Sequence, residues 1–484
     1  MSPALPGGLP NAASSNQLGK EDFALASVAQ TQPQQFGADP MVRLDAVPIS
    51  GFHKRLVVVS GIGWMFDSMD VGIISFVVAT LAREWNLVPE QVAWLISIGT
   101  LGMLVGAALA GTLADRFGRK TMFQTTMLIF SLATAFCGLA WSYAALAVGR
   151  FLVGFGLGGE LPIASTLVSE FSPARWRGRM LVLLESFWAY GWVLAALIAF
   201  FLIPSYGWRA AFFVGAVPAL YVFVLRRSLP ESPRFLLTKG RAAEAEEVIS
   251  SVERASGVSR PKDASKAALA ENAVRPAESA MQRFAELWSR PYLRRTVMLW
   301  VLWFTIVYSY YGIFTWLPTL LSESGRGLTS SFFYVLIITL AQIPGYFSAA
   351  YLVDKIGRKW TLAPYLFLTA VGAFFFRNAG TESAILFWGC FISFFNLGAW
   401  GVVYTYTPEM YPTRARGTGA GWAAAFGRFG GVLAPLAVGQ MLKGWGVGYE
   451  SIFVMFALVL LVGAINVVLL GEETKGRRLE EIAG

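Results

Sequence analysis

Asp115-Arg-Phe-Gly118-Arg119-Lys120 is followed, 239 residues later, by Asp354-Lys-Ile-Gly357-Arg358-Lys359. The same offset carries Glu170 onto Glu409, Pro173 onto Pro412, Arg175 and Arg177 onto Arg414 and Arg416, and Gly178 onto Gly417. It carries Trp64 onto Trp303, and Gly191-Trp-Val-Leu-Ala onto Gly430-Gly-Val-Leu-Ala, without a gap. Self-similarity at a fixed period marks a duplicated architecture.

What is duplicated follows from composition. Of 484 residues 55% are hydrophobic and only 14% charged, where a soluble chain carries about 25% charge. The apolar residues are clustered: Leu95–Ala114, Val193–Ile203 and Phe453–Leu470 hold almost no charge. A helix needs about 20 such residues to cross a bilayer. Twelve spans are expected, over 56–81, 91–114, 121–141, 143–170, 179–203, 209–226, 294–321, 329–353, 361–378, 382–409, 418–442 and 449–470. The fold class is therefore all-α membrane protein, with two parallel six-helix repeats. Its parts are a disordered cytoplasmic tail (1–50), a six-helix bundle (51–226), a partly helical cytoplasmic linker (227–293), a second bundle (294–471) and a short tail (472–484).

The first 50 residues are polar and lack the apolar core of a cleavable signal. Cys137 and Cys390 both lie in apolar spans, so no disulfide framework is expected. The net charge of +9 reflects cations placed between spans, which reads as topology and not as nucleic-acid binding. Arg116, Arg119, Lys120, Arg175, Arg177, Lys355, Arg358, Lys359, Arg414 and Arg416 fall in loops on one side. That places both termini in the cytoplasm of a cell whose inner membrane the chain spans. No P-loop, zinc spacing or nucleophile–His arrangement is present, so enzyme chemistry, metal and cofactor are not expected. A lipid-embedded monomer is.

Several motifs resemble those of the major facilitator superfamily. Gly111-x-x-x-Asp115-Arg-x-Gly118-Arg119-Lys120 is similar to its signature loop, and the second copy departs from it at Ala350 and Lys355. Pro230-Glu-Ser-Pro-Arg234, Glu472-Glu-Thr-Lys-Gly476 and Arg150-x-x-x-Gly154-x-Gly156 resemble further motifs of the superfamily. Within it, Gly63-Trp-Met-Phe-Asp67-Ser-Met-Asp70-Val-Gly72, Glu185-Ser-Phe-Trp188, Trp400-x-x-x-Tyr404-x-x-x-x-Glu409-x-Tyr-Pro412 and Gly427-Arg428-Phe-Gly-Gly resemble the group of bacterial niacin transporters, synaptic-vesicle glycoproteins and organic anion and cation transporters. The Gly-x-x-x-Gly-Pro pattern of drug antiporters is absent from Glu185–Phe201, which favours uptake over export. The resemblance implies alternating access between two rocking halves. The cytoplasmic gate would comprise Asp115, Arg119, Glu170, Arg175, Arg177, Glu231 and Arg234, with Asp354, Arg358, Glu409, Arg414 and Arg416 in the second half. Opposite charges there would pair as the halves close and separate as they open.

Charge inside a membrane is costly and marks function. Asp67 and Asp70 share a face of span one; Arg150 and Glu160 lie in span four, Glu185 in span five and Arg428 in span eleven. Arg428 is flanked by Gly427 and Gly430, which suggests room for a ligand close to the backbone. Its planar fork suits a carboxylate, and the resemblance implies an anion where this position is basic. A structural pair with Glu160 or Glu185 is the competing reading. Asp67, Asp70, Glu160 and Glu185 are candidate proton carriers; one Asp pairing with Arg150 is the alternative. His53, the sole histidine, precedes the spans proper.

Trp188 and Trp400 fall in opposite halves and resemble ligand-contacting tryptophans of the synaptic-vesicle group. Tyr308, Tyr311 and Phe314 recur at helical spacing in span seven, and Asn396 and Tyr404 lie one turn either side of Trp400. Aromatic walls with an arginine at one end suit a small aromatic carboxylate. The expected function is uptake of such an anion, nicotinate being the leading case, with protons. Another aromatic acid or organic anion, and a non-transporting receptor with this fold, are the alternatives. Sugar is less suited to so cationic and aromatic a site.

Overall fold

A computed structural model of the chain describes residues 40–173, 175–258, 280–411, 413–443 and 448–475. Twelve of the described helices are long and apolar enough to cross a membrane. In the first half they are Gly51–Glu84, Pro89–Ala110, Arg119–Gly138, Tyr143–Phe171, Arg177–Tyr206 and Trp208–Ser228. In the second they are Arg290–Glu323, Leu328–Ile356, Arg358–Phe376, Glu382–Glu409, Ala415–Lys443 and Tyr449–Leu470. Several outrun the expected spans, because hydropathy registers only the lipid-facing stretch while the helix continues into its polar flanks. An even number of crossings puts the two termini on one side, here called the terminal side.

Two spans are broken. In span six the helix stops at Gly215 and resumes at Pro218; in span eight it stops at Leu340 and resumes at Gln342, two residues before Pro344. Proline lacks the N–H that would continue the ladder.

The 239-residue offset reappears as packing. Span one packs along span five as seven does along eleven, and two along four as eight does along ten. Spans two and four meet backbone to backbone. A Cβ at Gly154 would lie 1.9 Å from the Gly99 carbonyl oxygen, and one at Gly102 2.2 Å from that of Phe151. In lipid, where apolar burial gives little drive, such close approach supplies the attraction.

The terminal side is built outward from the two Asp–Gly–Arg–Lys loops. Gly118 and Gly357 both adopt φ +99°, and a Cβ there would meet the carboxyl of Glu231 or Glu473 within 2.4 Å. These carboxylates cap the next helices. Glu231 accepts from the backbone N–H of Arg119 (2.9 Å) and Lys120 (3.2 Å), and Glu473 from Arg358 (2.9 Å) and Lys359 (3.1 Å). An anion at a helix N-terminus satisfies orphan donors and complements the dipole.

The expected disordered tail needs a correction. Residues 1–39 lie outside the described residues, but Pro40–Ala46 is a helix. It docks on the linker helix Ala242–Ala255: Arg43 bonds Glu246 (2.7 and 2.9 Å) and Glu253 (2.7 and 3.1 Å), and Leu44 is buried beside them. Burial works against the charge on Arg43, but the two glutamates outweigh it and raise its pKa above the ordinary arginine value. The linker is further helical at Pro233–Thr238 and Ala280–Leu287; its stretch 259–279 lies outside the described residues, as does 476–484 of the C-terminal tail.

Candidate functional site

Where the two halves meet, span one brings Trp64, span five Glu185 and Trp188, span seven Tyr311, span eight Tyr346, span ten Trp400 and Tyr404, and span eleven Arg428 to one cavity. Its empty space, together with the part open to solvent, is about 290 Å³.

The walls are fixed by their own contacts. Trp64 and Trp188 lie 4.7 Å apart, and Trp400 stacks on Tyr404 at 5.7 Å with 29° between planes. The Trp188 indole N–H donates to the Tyr310 hydroxyl (2.6 Å), and Tyr310 packs edge-on against Trp400 (5.7 Å). One tyrosine thus braces a tryptophan from each half. Span five is held by the Ser68 hydroxyl donating to the Trp188 carbonyl (2.7 Å).

Arg428 has no ion-pair partner among the described residues. Among the described residues its Nη1 hydrogen-bonds the Tyr311 hydroxyl (3.4 Å) and the Met103 sulfur (3.8 Å). The structure therefore does not pair it with Glu160 or Glu185. The flanking glycines serve a different purpose from the one expected. Cβ atoms at Gly427 and Gly430 would lie 3.0 and 2.7 Å from the carbonyl oxygens of Trp303 and Phe304. The room they leave is taken by the backbone of span seven and not by a ligand.

Three expected contacts point elsewhere. Tyr308 stacks on Phe304 (5.6 Å) and sends its hydroxyl to the Met455 sulfur of span twelve (3.3 Å). Phe314 packs on Trp192 and Tyr310, and the Asn396 amide donates to Ser309 (3.5 Å). Each three-residue step drifts about 60° around a helix, so Tyr308 and Phe314 diverge from Tyr311 in opposite senses. Trp64 and Tyr346 were not anticipated. Trp64 had a signal, its repeat partner Trp303; Tyr346 corresponds to Ala107 and had none.

Other charges lie buried within the first half. Asp70 takes a 2.8 Å ion pair from Arg150 and a 2.7 Å hydrogen bond from Thr134. Asp67 and Glu160 are fully buried neighbours, and none of their four oxygens has a partner of standard geometry among the described residues. As two carboxylates neither can donate to the other; a proton between them turns the contact into a hydrogen bond.

The residues expected to form a gate pair mostly within halves. Arg119 bonds Asp115 (2.8 Å) and lies 4.0 Å from Glu170, which accepts from Ser232. Arg358 grips Glu409 with two bonds (2.8 and 2.9 Å). Arg177 contacts Asp45 and the Ser169 carbonyl, and Arg416 the Pro408 carbonyl, while Arg175 and Arg234 are exposed. The side chain of Arg414 lies outside the described residues. Across the halves the terminal side has Asp354 with Arg179 at 3.9 Å, both exposed. The opposite side is sealed more tightly. Lys443 pairs with Glu90, Arg83 donates to the Ser322 carbonyl (2.7 Å), and Ser97 to the Val432 carbonyl (2.9 Å).

Residues 58–484 match the family described as "Sugar (and other) transporter". The chain belongs to that transporter family. It is 51% identical to the niacin transporter NiaP of Acinetobacter baylyi, over 92% of this chain and 99% of that protein. It is 47% identical to the putative niacin/nicotinamide transporter NiaP of Bacillus subtilis (90% and 99%), and 31% to the synaptic vesicle 2-related protein of Pongo abelii (90% and 82%). Among solved structures it is similar to the xylose transporter XylE of E. coli in a partially occluded inward-open conformation. The TM-score is 0.71 at 18% identity, over 89% of this chain and 100% of that one. This likeness establishes the twelve-span fold. The protein is a multi-pass membrane transporter, not an enzyme.

Proposed function

We propose that this transporter carries nicotinate, as a one-ring carboxylate held by Arg428 between Trp188 and Trp400, inward across the cell's inner membrane together with protons. The carrying observation is a guanidinium with no ion-pair partner among the described residues, in a cavity with aromatic walls from both halves. An unpaired arginine at a dry site favours an anion, and its fork matches a carboxylate better than an amide. The names of the two bacterial relatives at 51% and 47% identity support the same substrate class.

With both termini cytoplasmic, the cavity is shut toward the outside by the seal around Glu90 and Lys443. Rocking of the halves would break that seal and close the terminal side. For the proton, Asp70 is already neutralised by Arg150, which leaves the Asp67–Glu160 pair as the better carrier. Asp67 also lies in electrostatic reach of Arg428, so loss of the proton, which leaves the pair negatively charged, would weaken the hold on a bound anion.

The test is uptake of labelled nicotinate into liposomes holding the purified protein, with and without an inward proton gradient. Accumulation that collapses with a protonophore is expected. Absence of both uptake and binding would refute nicotinate; uptake indifferent to the gradient would refute coupling.

A further inference from the structure

The cavity holds two groups of opposite charge type that do not meet. Glu185 and Arg428 both line it, from opposite halves, yet no ion pair joins them. Glu185 is 3% exposed, and among the described residues it has no ion-pair partner. From the elements around it, Trp64 of span one, Tyr346 of span eight, Tyr404 of span ten and Arg428 of span eleven face it. The indole N–H and the two hydroxyls are neutral, and among the described residues Arg428 is the one cation that faces it.

Consider a bound monocarboxylate. It occupies the fork of Arg428 and uses its positive charge. Glu185 then has no cation to answer it, in a site from which water is largely excluded. A buried acid in that position needs a proton or a basic atom on the ligand. A benzene ring offers only C–H bonds. A ring bearing a nitrogen away from its carboxylate offers one lone pair.

We propose that Glu185 is a specificity-determining residue that reads the ring nitrogen of a heteroaromatic carboxylate, opposite the carboxylate held by Arg428. One proton lies on the line between the Glu185 oxygen and the ring nitrogen. It is shared as O–H···N or as O⁻···H–N⁺; no covalent bond of the ring changes. Two anchors from opposite halves then hold one rigid ring, so the full set of contacts forms only when the halves close on it. This assignment rests on the nicotinate reading and deepens it.

The experiment compares binding of nicotinate and benzoate, which differ by ring nitrogen against C–H, to wild type, Glu185→Ala and Glu185→Gln in detergent. An unpaired buried acid is penalised, so the wild type should prefer nicotinate by about 5- to 150-fold, equivalent to about 1–3 kcal/mol. In E185A the ratio should fall to within about threefold. Glutamine can donate an N–H to the ring nitrogen but cannot lose it, so E185Q should keep its preference and hold it constant as pH rises. The wild-type preference should decline over the same range as the shared proton is lost. A merely structural Glu185 would alter stability but not the ratio or its pH profile. A wild-type ratio near one overturns the assignment without any variant, as does an unchanged ratio in E185A while nicotinate still binds. Failure of wild type to bind nicotinate at all overturns the nicotinate reading and this assignment with it.

Discussion

Replacing Arg428 with alanine should cost nicotinate affinity far more than stability. A carboxylate on the guanidinium fork makes two charge-assisted hydrogen bonds, worth about 1.5–3 kcal/mol each. Set against them is what the free side chain gives up, a long contact to Tyr311 at 3.4 Å and one to the Met103 sulfur at 3.8 Å. The net loss is about 3–4 kcal/mol, or roughly 100- to 1,000-fold in Kd. Arg428→Lys keeps the charge and loses the fork, so about tenfold is expected. Stability should barely change, because Arg428 has no ion-pair partner among the described residues and its removal orphans no carboxylate. Radioligand binding to detergent-purified protein gives the affinities, and thermal unfolding gives the control. A Kd in R428A within threefold of wild type would refute the reasoning. So would a large fall in unfolding temperature, which would place Arg428 in the structure and not in the site.

Arg150 should behave in the opposite way. Arg150→Met leaves Asp70 buried with only Thr134, a loss of about 3–5 kcal/mol read as a lower unfolding temperature, and D70N in the same chain should recover part of it. A disulfide between Ala93→Cys and Gly439→Cys should form on mild oxidation, since a Cβ at Gly439 lies 2.6 Å from that of Ala93 and a small outward shift reaches disulfide spacing. Uptake should stop and return on reduction; unimpaired uptake in the cross-linked protein would show that this seal need not open. Asp67→Asn and Glu160→Gln should each flatten the pH dependence of uptake while exchange of labelled for unlabelled nicotinate continues. A preserved pH profile in both would move the proton elsewhere.

The two Asp–Gly–Arg–Lys loops of the terminal side were legible in the sequence because their chemistry is local. An Asp–Gly–Arg–Lys loop between two apolar stretches needs a positive-φ residue and a capping anion, and Gly118 with Glu231 and Gly357 with Glu473 supply them. The buried charges were also visible, since lipid makes any ionisable residue conspicuous. Which charge meets which was not visible. Asp67 and Asp70 share a helix face, yet one adjoins Glu160 and the other pairs with Arg150. The glycines around Arg428 carried a signal of close approach, but not the identity of what approaches.

The sequence by itself determined twelve spans, two repeated halves and the set of ionisable residues within them. These follow from hydropathy, periodicity and spacing along one chain. Tertiary structure alone decided that Tyr311 and Tyr346 face the cavity while Tyr308 and Phe314 do not, and that Arg428 stands unpaired beside Glu185. A helix fixes the angles between its own side chains. Its rotation relative to its neighbours is set by packing across the interface of the two halves, and no single span encodes that.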